Sequence, residues 1–170
     1  MYELLKKKYG QNFLIDKNIL IKISNLILKN NLKIIEIGPG DGKLTDFILK
    51  YKPKELKIIE IDNDLIPFLD LKFKDYECIT IINADVLNYD FIDKTDLIIS
   101  NLPFNISSQI LIKICLMKQP PINLILMFQK EFAQRLLDKK MNSLNALVGC
   151  FYDINFKFNI SKNCFRPIPK

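Results

Sequence analysis

The chain has no histidine, no C-x-x-C pair and no long apolar run, and each absence removes a class of function. Without histidine, a zinc site would have to be made of thiolates alone. No metal is expected, and Cys78, Cys115, Cys150 and Cys164 read as reduced, buried thiols of a cytoplasmic protein. No apolar stretch approaches the roughly 18 residues that a membrane span needs, so no membrane association is expected. Met1 to Gly10 carries lysines but neither an apolar core nor a small-residue cleavage site, so no secretory signal is expected. Arginine is scarce too: of 25 basic residues only Arg135 and Arg166 are not lysine. The net charge of +6 suits a polyanionic partner, because lysines on phosphates release counterions. An AT-rich genome would also favour Lys, Asn and Ile, so charge supports an RNA partner without identifying one.

What is present is an alternation of apolar, β-branched runs and amphipathic stretches, over a length that suits one domain with a real core. Asp16 is a plausible N-cap for a helix through Ile19, Leu20, Ile23, Leu26 and Ile27. Five strands are expected: Lys33 to Ile37, Lys57 to Ile61, Ile79 to Asn83, Leu97 to Ser100 and Ile122 to Phe128. Helices are expected over Gly42 to Tyr51, Asn63 to Phe73, Ser107 to Met117 and Gln129 to Lys139, followed by a helix and a strand between Leu144 and Ile160. Near-continuous apolar strands between helices describe a mostly parallel sheet, covered on both faces. No repeat or linker divides the chain, so residues 1–170 read as a single domain: an N-terminal segment over 1–15, then an α/β, Rossmann-like core over 16–170.

Chemistry concentrates where strands end. Gly38-Pro39-Gly40-Asp41-Gly42 follows the first strand but is not a dinucleotide fingerprint, since Lys43 stands where the third glycine would be. Its first glycine allows a tight turn, and the next two are expected to leave room for a ligand at a helix N-terminus. Glu60, 22 residues after Gly38, can accept both hydroxyls of a ribose. Asp62 offers the same chemistry or caps the next helix. Asp85 could accept from an adenine amine or serve as a turn cap. About sixty residues beyond the glycines comes Asn101-Leu102-Pro103-Phe104. An adenine amine is a poor nucleophile because its lone pair is delocalised into the ring. Hydrogen bonds to the Asn101 side-chain oxygen and the Leu102 carbonyl would favour the pyramidal amine that attacks. Pro103, with no N–H and a fixed φ, helps hold that carbonyl. Phe104 would stack on the base, worth about 1–3 kcal/mol. These residues together follow the logic of an N6-adenine methyltransferase. Lys6-Lys7-Lys8 is either a solvated terminus or an RNA contact, and Phe165 to Pro169 either a rigid loop over the site or a tail.

These segments resemble the ribosomal RNA small-subunit adenine N6,N6-dimethyltransferases of the kasugamycin-sensitivity type. The matching stretches are Tyr9-Gly10-Gln11-Asn12-Phe13-Leu14, Glu36 to Thr45, Glu60-x-Asp62, Ala84-Asp85-x-Leu87, Asn101 to Ser107, Gln129-Lys130-Glu131-x-x-x-Arg135 and Phe165-x-Pro167-x-Pro169-Lys170. The resemblance implies a class I methyltransferase fold with S-adenosyl-L-methionine as cofactor, bound through Asn12, Leu14, Gly38, Gly40, Glu60, Asp85 and Asn101. It implies a catalytic turn of Asn101, Leu102, Pro103 and Phe104. The implied substrate is a pair of adjacent adenosines in a hairpin near the 3' end of small-subunit rRNA, met as a small ribosomal subunit precursor by a monomer. Phe104 stands where the family usually has tyrosine, and Asn142-Ser143 where it usually has Tyr-Gly before a sixth strand. The sequence ends at Lys170, where relatives continue with a final antiparallel strand and a small helical domain. The fold is therefore expected to lack that domain, and RNA affinity to rest on lysines and stacking.

Methyl transfer by in-line displacement, with catalysis from positioning and oriented dipoles, is the expected mechanism. Two rivals share the fold: a large-subunit rRNA adenine methylase of the antibiotic-resistance type, and a ribosome-assembly factor that binds RNA without turnover. DNA adenine and protein glutamine methylases typically carry a second proline where Leu102 stands.

Overall fold

A computed structural model describes residues 11–169. In chain order its elements are β1 (Phe13–Leu14), α1 (Lys17–Ser24), β2 (Lys33–Ile37), α2 (Lys43–Ile48), β3 (Glu55–Glu60), α3 (Ile66–Phe73) and β4 (Ile79–Asn83). They continue with β5 (Leu97–Asn101), α4 (Ser107–Cys115), β6 (Asn123–Met127), α5 (Lys130–Leu137), α6 (Ser143–Gly149) and β7 (Phe165–Arg166). Five strands form one parallel sheet in the order β4-β3-β2-β5-β6. The order reverses between β2 and β5, and a parallel α/β sheet opens a crevice at that point, beyond the carboxyl ends of its strands.

Alternation along the strands sorts the core into two faces. Ile34, Leu56, Ile58, Leu97 and Ile99 pack with Leu20 and Ile23 of α1, Leu44 and Ile48 of α2, and Leu69 and Phe73 of α3. Ile35, Ile37, Ile59 and Ile98 point the other way, onto Ile110 and Ile114 of α4. Leu111 and Cys115 on the far side of α4 join Leu136 of α5 and Leu144 and Val148 of α6 in a third cluster. Among the described residues no helix is long and apolar enough to cross a membrane.

Asp16 caps α1 as expected, its carboxylate accepting the Asn18 and Ile19 N–H groups at 2.9 and 3.0 Å. Other boundaries move. The helix after the glycines tightens into a 3-10 turn at Leu49–Tyr51. The helix expected from Asn63 begins only at Ile66, with Pro67 in its first turn, where the missing proline N–H is not needed. The strand expected between Leu144 and Ile160 does not form: α6 fills Ser143–Gly149, and 151–160 carry no regular structure. A strand needs a partner for its backbone groups, and among the described residues β6 pairs with β5 alone. The cysteines are free, yet only Cys115 is buried, and Cys150 is exposed at the carboxyl end of α6. Lys6-Lys7-Lys8, Tyr9, Gly10 and Lys170 lie outside the described residues.

Candidate cofactor and base site

The expected site residues converge. One cavity at the carboxyl ends of β2 to β5 is lined by Asn12, Gly38, Gly40, Glu60, Asp85 and Asn101, together with Leu102, Pro103 and Phe104. Leu14 lines an adjoining cavity that shares Phe13, Gly38 and Asn101 with the first.

Gly38 turns out of β2 with φ +66°, and nothing lies within 4 Å of where a Cβ would stand, so this glycine faces open space. The other two differ from expectation. A Cβ on Gly40 would meet the Phe13 ring at 2.6 Å, and one on Gly42 the Phe73 ring at 2.8 Å. Protein rings occupy the room those glycines make. Gly40 serves the site differently, by donating its N–H to Glu60 Oε2 at 3.2 Å. The Asp62 N–H donates to Glu60 Oε1 at 2.9 Å. Both carboxylate oxygens are thus oriented by backbone donors and keep accepting capacity. Glu60 is 4% exposed; burial pushes its carboxyl above the usual range, and the backbone N–H bonds pull it back.

Asp62 does not cap α3. Its carboxylate accepts the Asp64 N–H at 3.2 Å and the Gln11 side-chain amide at 2.8 Å, closing a turn and holding the N-terminal segment. Asp85 caps a turn, accepting from Leu87 N–H at 2.9 Å and Asn88 Nδ2 at 3.2 Å, and it also lines the cavity.

Asn101 is the last residue of β5, and its Nδ2 donates to the Asn12 carbonyl at 2.8 Å. Leu102 is 1% exposed, sunk among Ile37, Ile59 and Ile110, and it anchors the turn from below. The Pro103 carbonyl is taken by Ile106 N–H at 3.2 Å and Ser107 Oγ at 2.9 Å. Phe104 is half-buried on the cavity wall.

Two supports of the site escaped the sequence reading, a strand pairing and a buried acid. Phe13 and Leu14 pair antiparallel with Arg166 and Phe165, so the segment read as either loop or tail is a strand clamping the N-terminal segment. Glu36, in the second cavity, is buried and accepts the Thr45 hydroxyl at 2.6 Å. Burial outweighs that bond and pushes its carboxyl up to about 8. An acid beginning a glycine turn, with threonine nine residues on, was the available signal.

Residues 3–170 match the profile of one family, described as Ribosomal RNA adenine dimethylase. The chain belongs to that family. It is 41% identical over 175 residues to the Ribosomal RNA small subunit methyltransferase A of Campylobacter jejuni (strain RM1221), covering 97% of this chain and 65% of the relative. The protein of the same name from Pelagibacter ubique (strain HTCC1062) is 41% identical over 180 residues, covering 100% of this chain and 68% of the relative. Among solved structures, a dimethyladenosine transferase from Plasmodium falciparum superposes with TM-score 0.84 at 30% identity, over 93% of this chain and 59% of that one. The 23S rRNA methyltransferase ErmE gives 0.82 at 25% identity, over 94% and 66%. The fold is that of the class I methyltransferases. The chain spans 65% of the first relative's length. Where the family usually has Tyr-Gly, Asn142 caps α6: its side chain accepts the Asn145 N–H while Asn145 accepts the Asn142 N–H, a reciprocal pair that needs neither usual residue.

Proposed function

We propose that the chain transfers methyl groups from S-adenosyl-L-methionine to N6 of two adjacent adenosines in a hairpin near the 3' end of small-subunit rRNA. The observation that carries this is the meeting of Glu60, Asp85 and the Asn101-to-Phe104 turn on one cavity at the sheet's reversal point. The cavity fits the cofactor. Gly38 opens on free space, and Glu60 is a buried acceptor oriented by two backbone N–H groups, which suits a vicinal diol. We assign the adenosine end to Glu60 and Asp85, and the rest to Asn12, Leu14, Gly38 and Gly40. When bound, the cofactor supplies an electrophilic methyl group.

The chain's own part is to select and orient the amine. With Nδ2 committed to Asn12, the Asn101 side chain presents Oδ1 as an acceptor. The Leu102 carbonyl adds a second acceptor, because the hydrogen bonds that close the turn go to Pro103 instead. Two acceptors converging on one amine favour its pyramidal form. They act most strongly in the transition state, where that form develops. Phe104 offers a face to the flipped base, and stacking on it offsets part of the few kcal/mol that unstacking costs. No side chain needs to form a covalent bond.

Residues 1–170 act as a single methyltransferase domain with 1–15 contacting cofactor and RNA, working as a cytoplasmic monomer on a small-subunit precursor. The small-subunit target is favoured over the large-subunit alternative by relatives at 41% identity that carry the small-subunit name. The test is transfer of labelled methyl to undermethylated small and large subunits, with the products mapped. N6-dimethylated adjacent adenosines in the small subunit are expected. Modification of large subunits alone, or none while the cofactor still binds, would overturn the reading.

A further inference from the structure

The N-terminal segment is fastened at three places around the site. The Gln11 amide donates to Asp62 at 2.8 Å, the Phe13 ring packs where a Cβ of Gly40 would stand, and Phe13 and Leu14 pair with β7. Between the first two fastenings lies the Asn12 carbonyl, which receives the Asn101 Nδ2 at 2.8 Å. A side-chain amide has a donor end and an acceptor end, and turning it over exchanges them. If Asn101 turned over, its Oδ1 would face the Asn12 carbonyl, oxygen against oxygen, and its NH₂ would face the substrate amine. Neither contact is favourable.

We propose that the Asn12 main-chain carbonyl is a positioning group that holds the Asn101 amide in the one orientation that accepts from the base, so that the seating of residues 11–14 sets catalytic competence. The inference rests on the functional reading above and deepens it. Because the same segment lines the cofactor cavity, an unseated segment leaves the turn in place but unable to distinguish donor from acceptor.

Two measurements test it. The first needs no turnover: solvent exchange of the Asn101 side-chain amide protons by NMR in the full chain, compared with Gln11→Ala and Phe13→Ala. Loosening the segment should speed exchange about two- to tenfold, the equilibrium worth of one ordinary hydrogen bond. The second is the pH profile of Asn101→Asp with undermethylated small subunits. Ionised aspartate accepts from the amine but repels the Asn12 carbonyl, whereas the protonated acid can donate to it. kcat should therefore fall at least about tenfold near pH 8 and rise relative to the parent as pH falls toward the ordinary carboxylate range, about 4, with a smaller change in cofactor KM. Unchanged amide exchange in both loosened variants, or an Asn101→Asp profile parallel to the parent's, would overturn the proposal. If the parent chain transfers no methyl at all, the functional reading fails, and amide exchange still decides this one.

Discussion

The centre of the sheet and its β6 edge are built from the same residue types and end in opposite states. Ile58, Ile98 and Ile99 in β3 and β5 are fully inaccessible, with helices on both faces. Ile122, just before β6, is 63% exposed, and Phe156 in the unpaired stretch beyond α6 is 57% exposed. Every residue assigned to cofactor or base ends or follows one of the strands β2 to β5 or lies in the segment clamped beside them, and none follows β6. Position in the sheet, more than apolar content, decides where geometry is rigid enough to orient an amine or a ribose. Beyond the unpaired stretch, β7 leaves the edge to pair with β1 and hold Phe13 and Leu14 in place.

The largest effect should come from the centre. Ile58→Ala should cost about 2–5 kcal/mol, the range for truncating a buried aliphatic side chain, read as a lowered urea midpoint. A loss under about 1 kcal/mol would mean that the centre relaxes as readily as an exposed site. Next, Asn101→Ala should lower kcat about 10²–10³-fold, as for removal of a preorganised transition-state partner, with little change in RNA affinity. Near-normal kcat would remove Asn101 from the chemistry. Glu60→Ala should weaken S-adenosylmethionine binding by about 1.5–3 kcal/mol in a chain that stays folded, and calorimetry showing unchanged affinity would move the ribose contact elsewhere.

Glu36 adds a pH dependence to the centre. In the fold its carboxyl keeps its proton to about 8, against an ordinary value of 4.5. Between those values the folded chain binds more protons than the unfolded one. The contribution of Glu36 is therefore complete below 4.5 and is lost as pH rises toward 8. Glu36→Gln should flatten that decline in a series of urea midpoints, and an identical decline in both proteins would assign it to another group. The smallest effect belongs to the edge: Phe156→Ser should change stability by no more than about 0.5 kcal/mol.

The same contrast governs what could be read from sequence. The runs at Lys33 to Ile37 and Leu97 to Ser100 announced buried parallel strands because both of their faces are apolar, and Asp16 announced its helix by cap chemistry. The acids and the asparagine turn were legible because they sit directly at strand ends. The β1–β7 pair was not, since two residues on each side carry no periodicity and the partners lie about 150 positions apart in the chain. That Phe13 fills the space at Gly40 is a tertiary fact with no local signal. The stretch from Phe151 to Ile160 misled in the other direction: its aromatic and β-branched content reads as strand, and content cannot supply a neighbour.

The most direct test of a site kept away from the β6 edge is a titration of the full chain with S-adenosylmethionine, followed by backbone amide NMR. The account predicts saturable shifts at Asn12, Gly38, Gly40, Glu60, Asp85 and Asn101, with none along 151–160. Shifts centred on α5, α6 and 151–160, or no saturable shifts at all, would contradict it.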